Sequence, residues 1–251
     1  MTFWMGGEDV LAIFSKFRNY RIKACLFDMD GLLVNTEDIY TITCNEILEK
    51  YNKGPLTWDV KLQLQGLPGF EAGTKLIEHY ELPLTFEEFN NMNVISQDLK
   101  WPTCEFLPGA LELLNYLHEK NIPIALCTSS NKTKFHAKTS HLTEGFKLFD
   151  AVTTGDDPRL ANGRGKPCPD IWQIGLKKLN DKYDTNITPD ECIVFEDGKP
   201  GVVSGKAFGG NVVWVPHHDA YDHLGDVDAF LEGKGELLHS LEDLDKAKYG
   251  L

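Results

Sequence analysis

Asp28 and Asp30, with a single residue between them and Gly31 after them, are the first residues in the chain whose types and spacing could do chemistry. The apolar run from Ile22 to Phe27 before them reads as a buried strand of a parallel sheet, where both faces are covered and apolar residues need not alternate with polar ones. Side chains two apart at a strand end project to the same side, so the two carboxylates can converge on one reacting group while Gly31 lets the chain turn away. One carboxylate can attack and the other can move a proton. Asp-x-Asp-Gly is also ordinary turn chemistry, so the pair needs support from the rest of the chain.

Three further groups supply it, each after an apolar run or in a following loop, where an open parallel sheet gathers its site. Thr128 offers a hydroxyl, and the backbone N–H groups of Ser129 and Ser130 precede a helix, which makes an anion cradle; a simple helix cap would use the same residues. Lys166 lies in Gly165-Lys-Pro-Cys-Pro-Asp170, where two prolines stiffen the backbone and can hold its ammonium near an anion. Glu196-Asp197 ends the run Cys192 to Phe195 and would repel Asp28 and Asp30 unless a cation lies between them. Mg²⁺ is the expected cofactor, because it prefers oxygen ligands, keeps several waters and bridges to phosphate. Asp28, the main-chain carbonyl of Asp30 and Asp197 form its candidate shell, with Glu196 binding through water or orienting the others.

The elements that must position these groups alternate along the chain. Strands are expected at Ile22–Phe27, Ile122–Cys127, Phe149–Thr154, Cys192–Phe195 and Val212–Val215, with helices between them, and this alternation predicts a doubly wound parallel α/β sheet. Roughly ninety residues separate the first two strands where a crossover needs only a dozen or more, so a helical domain is inserted there. Its helices are expected from Thr36 to Tyr51, Trp58 to Gln65, Phe70 to Tyr80 and Thr85 to Trp101, the last opening on the capping box Thr85-x-x-Glu88. The resulting division is an extension over residues 1–20, a core over 21–36 and 108–251, and a small helical cap over 37–107. Beyond Asp219 the signal is poor apart from a closing helix after Ser240.

The string Phe27-Asp-Met-Asp-Gly-Leu-Leu-Val-Asn-Thr-Glu37, with the three groups that follow in order, resembles the four signature motifs of the haloacid dehalogenase-like superfamily, across residues 21–216. Within it, Trp58-Asp-Val-Lys61, Ala125-Leu-Cys-Thr-Ser-Ser130, Lys138-Thr-Ser140, Gly155-Asp-Asp-Pro158 and Val194-Phe-Glu-Asp197 are similar to the eukaryotic pseudouridine-5′-phosphatase group, alongside sugar- and polyol-phosphate phosphatases. The resemblance implies a Rossmann-like core with a helical cap and a Mg²⁺-dependent phosphomonoester hydrolase. In it Asp28 is the phosphorylated nucleophile, Asp30 the general acid/base, Thr128, Ser129 and Lys166 the phosphate holders, and Asp28, Asp30, Glu196 and Asp197 the metal groups. Asn35 stands where the pattern usually has Asp, and Gly198-Lys-Pro-Gly-Val-Val-Ser-Gly205 replaces the more usual Ser-x-x-Gly and alanine-rich helix. The loop Gly66-Leu-Pro-Gly69 lacks the basic residues of some relatives. A phosphoglucomutase of the same fold would share the motifs but commonly carries a cap histidine where this chain has Tyr40, and a silent ligand-binding homologue would not need Asp30.

Composition narrows the partners. A formal net charge of −13 over 251 residues argues against a nucleic-acid binder, which needs clustered Lys and Arg to displace counterions, so the partner is expected to be a small phosphomonoester held in a local cationic pocket. Six cysteines without a C-x-x-C pair read as reduced packing residues of a cytoplasmic protein. No apolar run approaches the ~20 residues of a membrane span, and a monomer is the default expectation.

Overall fold

The computed structural model describes residues 22–65, 67 and 69–251; the expected extension over residues 1–20 lies outside the described residues. The first strand, β1 (Ala24–Phe27), is followed by four helices, α1 (Thr36–Lys50), α2 (Trp58–Leu64), α3 (Gly69–His79) and α4 (Phe86–Lys100), before α5 (Ala110–Glu119) leads into β2 (Ile124–Cys127). The chain continues through α6 (Lys132–Thr139), α7 (Thr143–Phe146), β3 (Ala151–Thr153), α8 (Asp170–Tyr183), β4 (Cys192–Glu196), α9 (Lys199–Phe208), β5 (Asn211–Trp214), α10 (Val227–Leu231) and β6 (Gly235–Leu237). The strands form one sheet in the order β3-β2-β1-β4-β5-β6, and all its pairings are parallel.

This order explains why the apolar runs do not alternate with polar residues. Cys25 and Phe27 join Ile193, Phe195 and the α5 residues Leu113, Leu114 and Leu117 in one buried cluster. Ala24 and Leu26 point the other way, into a cluster with Val194, Val202 of α9 and Ile171, Trp172 and Leu176 of α8. Both faces of the sheet are therefore covered, and every β1 side chain is fully buried. Helices α1, α3 and α4, with Leu82 of the connection between α3 and α4, share a third, smaller core of Cys44, Ile47, Leu48, Leu76, Leu82 and Phe89, so the inserted helices have packing of their own. Thr85 and Glu88 form the expected capping box at the start of α4.

Two details depart from expectation. The sixth strand went unanticipated because Gly235-Glu-Leu237 carries no apolar periodicity; it is recruited by backbone bonds from Val212 N–H to Lys234 and from Leu238 N–H to Trp214. The closing helix after Ser240 exists only as two short 3₁₀ turns, Leu241–Asp243 and Ala247–Tyr249. Thr36 opens α1, and its hydroxyl accepts from Gly31 N–H at 3.1 Å. Among the described residues no helix is long and apolar enough to cross a membrane. Cys25, Cys44, Cys104, Cys127 and Cys192 are buried and unpaired, with burial pushing their thiols up.

Phe27 anchors the end of β1, stacked on Phe195 with ring centroids 4.5 Å apart and edge-on to Phe149. Phe27→Ala is expected to lower unfolding free energy by about 3–5 kcal/mol in urea titrations, as large-to-small core changes do; a loss under about 1 kcal/mol would show that this stack does not hold the strand end.

Candidate active site

The strand order reverses its direction of growth at β1 and β4, and in open parallel sheets the crevice at the carboxyl ends of such a pair receives ligands. Asp28 follows β1 directly, with its N–H bonded to Phe195 O at 3.0 Å, and Glu196-Asp197 close β4 beside it. Carboxylate oxygens of Asp28, Glu196 and Asp197 all lie within 4.8 Å of one another. Gly31, at φ +76°, permits this approach: a Cβ there would stand 2.5 Å from an Asp197 oxygen and 2.7 Å from Glu37. Gly201 does the same for Glu196, whose carboxylate occupies the space a Cβ would need.

Lys166 enters the cluster from the loop before α8. Its ammonium bonds Asp28 Oδ1, lies 2.6 Å from Glu196 Oε1 and sits 4.5 Å above the Trp172 ring. Glu196 Oε2 meanwhile accepts from the N–H groups of Asp197 and Gly198 at 2.9 and 3.0 Å, which fixes its orientation. One cation thus faces three carboxylates. Burial, partly offset by Lys166 and reinforced by Glu196 and Asp30, raises the Asp28 carboxyl to about 7. Burial together with Glu196 and Asp28 pushes Asp197 well above the usual carboxylate range. Burial lowers Lys166, but Asp28 and Glu196 outweigh it and hold the lysine above its ordinary value.

Asp30 occupies a different environment. Its carboxylate accepts from Lys138 Nζ at 2.5 Å, Ser130 Oγ at 2.8 Å and Thr128 Oγ1 at 3.3 Å. Burial raises its carboxyl, yet Lys138 and the hydroxyls of Ser130 and Thr36 outweigh burial and hold it below the usual range. Lys138 is fully buried, and it also donates to Tyr40 on α1 at 2.9 Å and approaches the Trp101 ring at 4.6 Å. The main-chain carbonyl of Asp30 takes no part in the local bridge, which Met29, Gly31 and Val34 form.

All the sequence-derived candidates converge on adjoining cavities: Asp28, Asp30, Ser129, Lys166, Glu196 and Asp197 line one of about 590 Å³, and Thr128 lies beneath it against Asp30. The expected anion cradle is narrower than the sequence suggested, because Ser130 N–H is taken by Thr128 Oγ1 at 3.0 Å and Asn131, not Thr128, caps α6. Asn35, in place of the usual Asp, lies outside the acid cluster. Its carboxamide oxygen accepts from Glu105 N–H at 2.9 Å and its N–H donates to Glu105 O, tying together the two chain crossings between sheet and cap. Lys138, Tyr40 and the Ser130 hydroxyl were not expected as site residues. A signal existed for the lysine, since it lies three residues from Phe135 on the face of α6 that must pack inward.

Three carboxylates with a spare backbone carbonyl and one lysine fit a hard divalent cation with oxygen ligands: Asp28, the Asp30 carbonyl and Asp197 can hold it, with Glu196 engaged mainly by Lys166.

Similarity to known proteins is consistent with this geometry. Residues 25–215 match the model of the haloacid dehalogenase-like hydrolases. A probable pseudouridine-5′-phosphatase of Saccharomyces cerevisiae is 70% identical over 230 residues, covering 92% of this chain and 98% of its own. A (DL)-glycerol-3-phosphatase of Arabidopsis thaliana is 34% identical, covering 90% of this chain and 72% of its own. A solved structure described as a candidate β-phosphoglucomutase of Thermotoga maritima superposes with a TM-score of 0.69 at 30% identity, over 92% of this chain and all of the other.

Lys138→Met is expected to cost about 3–5 kcal/mol of stability, because it strands Asp30 as a buried charge. Adding Asp30→Asn should recover much of that loss; denaturation midpoints of the two single variants and the double variant that simply add would show that the pair is not coupled.

Proposed function

Because the chain belongs to the haloacid dehalogenase-like hydrolase family, we propose that it is a Mg²⁺-dependent phosphatase that cleaves a small phosphomonoester, a sugar, polyol or nucleoside phosphate, through a phosphorylated Asp28. The observation that carries the reading is the division of the acids: Asp28 shares its crevice with Lys166, Glu196 and Asp197, while Asp30 is held separately by Lys138 and two hydroxyls. Two carboxyl groups in unlike surroundings suit two unlike roles.

In the first step an Asp28 carboxylate oxygen attacks phosphorus, the ester P–O bond breaks, and Asp30 gives its proton to the departing alkoxide. Asp30 is held as a carboxylate by Lys138, but an arriving phosphate dianion is a like charge at close range and raises it, so that Asp30 takes up a proton from bulk solvent and enters the step as the acid. In the second step Asp30 takes a proton from water, the water oxygen attacks the aspartyl phosphate, and inorganic phosphate leaves with Asp28 restored. Lys166 neutralises nonbridging oxygens, and the Thr128 and Ser129 loop borders the same space. Mg²⁺, when bound by Asp28, the Asp30 carbonyl and Asp197, supplies charge stabilisation for the transferring phosphoryl group. The buried, unpaired thiols support a reducing compartment such as the cytoplasm.

The purified chain is expected to release phosphate from p-nitrophenyl phosphate only with Mg²⁺ present, and Asp28→Asn is expected to abolish that release. An undiminished rate in Asp28→Asn would rule out covalent catalysis at this position. With a hexose 1-phosphate the product should be free hexose; accumulation of hexose 6-phosphate would favour the phosphoglucomutase alternative.

A further inference from the structure

The cavity over the site, about 660 Å³, runs from Asp30 to the inner side of α4, and that helix turns Asn90, Asn93 and Gln97 into it. These three carboxamides are spaced three and four residues apart and so share one helix face. Gln97 is only 7% exposed, and Asn93 Oδ1 is buried without a hydrogen-bond partner. Neither carboxamide is hydrogen-bonded among the described residues. A buried polar group left unmatched costs roughly 1–3 kcal/mol, so the Asn93 oxygen, one helical turn from the Gln97 carboxamide, is an expensive group to place in a wall that Leu would fill without penalty. Phe86 and Phe89 flank them on the same helix, and Lys134 faces the cavity from α6 with no ion-pair partner among the described residues.

We propose that Asn93 and Gln97 are the specificity-determining residues of a leaving-group subsite that takes the heterocyclic base of a nucleoside 5′-monophosphate. The inference rests on the phosphatase reading for the phosphate end of the cavity and adds what lies at the other end. A planar carboxamide sets a donor beside an acceptor and matches the adjacent C=O and N–H of a base edge, as Asn and Gln do in reading nucleobases. The phenyl rings supply a surface for the base face, and the Lys134 ammonium supplies a donor for a carbonyl oxygen. A volume of this size accommodates a ligand of nucleotide dimensions, whereas glycerol phosphate would leave most of it to water.

The test compares pseudouridine 5′-phosphate and uridine 5′-monophosphate with ribose 5-phosphate, which carries the same sugar phosphate without a base. The wild-type chain should favour at least one of the nucleotides in kcat/KM by about tenfold or more, and Asn93→Leu and Gln97→Met should each erase much of that ratio, chiefly through KM. A ratio within one preparation is independent of the folded fraction, so poor folding cannot imitate the result. Equal use of ribose 5-phosphate by the wild type, or equal losses on both substrate types in the variants, would overturn the assignment. If p-nitrophenyl phosphate is not hydrolysed either, the phosphatase reading is what has failed. Calorimetric binding of the same three compounds then decides the subsite: tighter binding of a nucleotide than of ribose 5-phosphate supports it, and equal binding overturns it.

Discussion

Three carboxylates share one crevice with one lysine, and the geometry around them is arranged to keep them there. Like charges 4 Å apart repel by about 4 kcal/mol at an effective dielectric constant of 20, and carboxylate oxygens of Asp28, Glu196 and Asp197 lie within 4.8 Å of one another, close enough for much of that repulsion. The chain does not relieve the repulsion by moving apart. Glu196 is pinned by two backbone N–H groups, Gly31 and Gly201 give up their side-chain space to the acids, and β1 and β4 are hydrogen-bonded neighbours in the sheet. A cluster kept together against its own charge suits a site whose remaining partners, a cation and a phosphate ester, arrive from solution.

The separation of Asp30 from that cluster has a covalent cause and an electrostatic one. It is two residues from Asp28, but the turn at Gly31 and the Met29–Val34 hydrogen bond swing its carboxylate toward the loop after β2. There Lys138 binds it, and Lys138 is in turn bonded to Tyr40 on the first helix of the cap. The acid/base candidate is therefore linked through Lys138 to the first of the inserted helices. On the far side, Trp58 of α2 stacks on His217 of the loop after β5, and His217 bonds Asp38, so the cap rests on the sheet from both flanks.

Much of this was legible in the chain itself, for physical reasons. β1, β2, β4 and β5 are buried on both faces and so read as unbroken apolar runs, and acids or hydroxyls at their carboxyl ends had to share one crevice in a parallel sheet. The inserted helices followed from the excess of residues between β1 and β2. What stayed hidden depends on tertiary contact. Gly235-Glu-Leu237 is a strand only because β5 offers it a backbone edge, and Lys138 looks like one of several solvated lysines until the fold turns its face of α6 inward. The carboxamides of Asn93 and Gln97 look like an ordinary polar helix face, because nothing in a helical repeat tells a surface turned to solvent from one turned to a cavity.

The central claim is that the acids at the ends of β1 and β4 coexist because a divalent cation belongs among them. Titration of Mg²⁺ into the metal-free, substrate-free chain by calorimetry tests it most directly. The account predicts saturable binding at one site, abolished by Asp197→Asn. Binding should weaken as the pH falls through about 7, where Asp28 takes up its proton in competition with the metal. No binding heat at any pH, or an affinity unchanged between pH 5 and 8 and indifferent to Asp197→Asn, would contradict it.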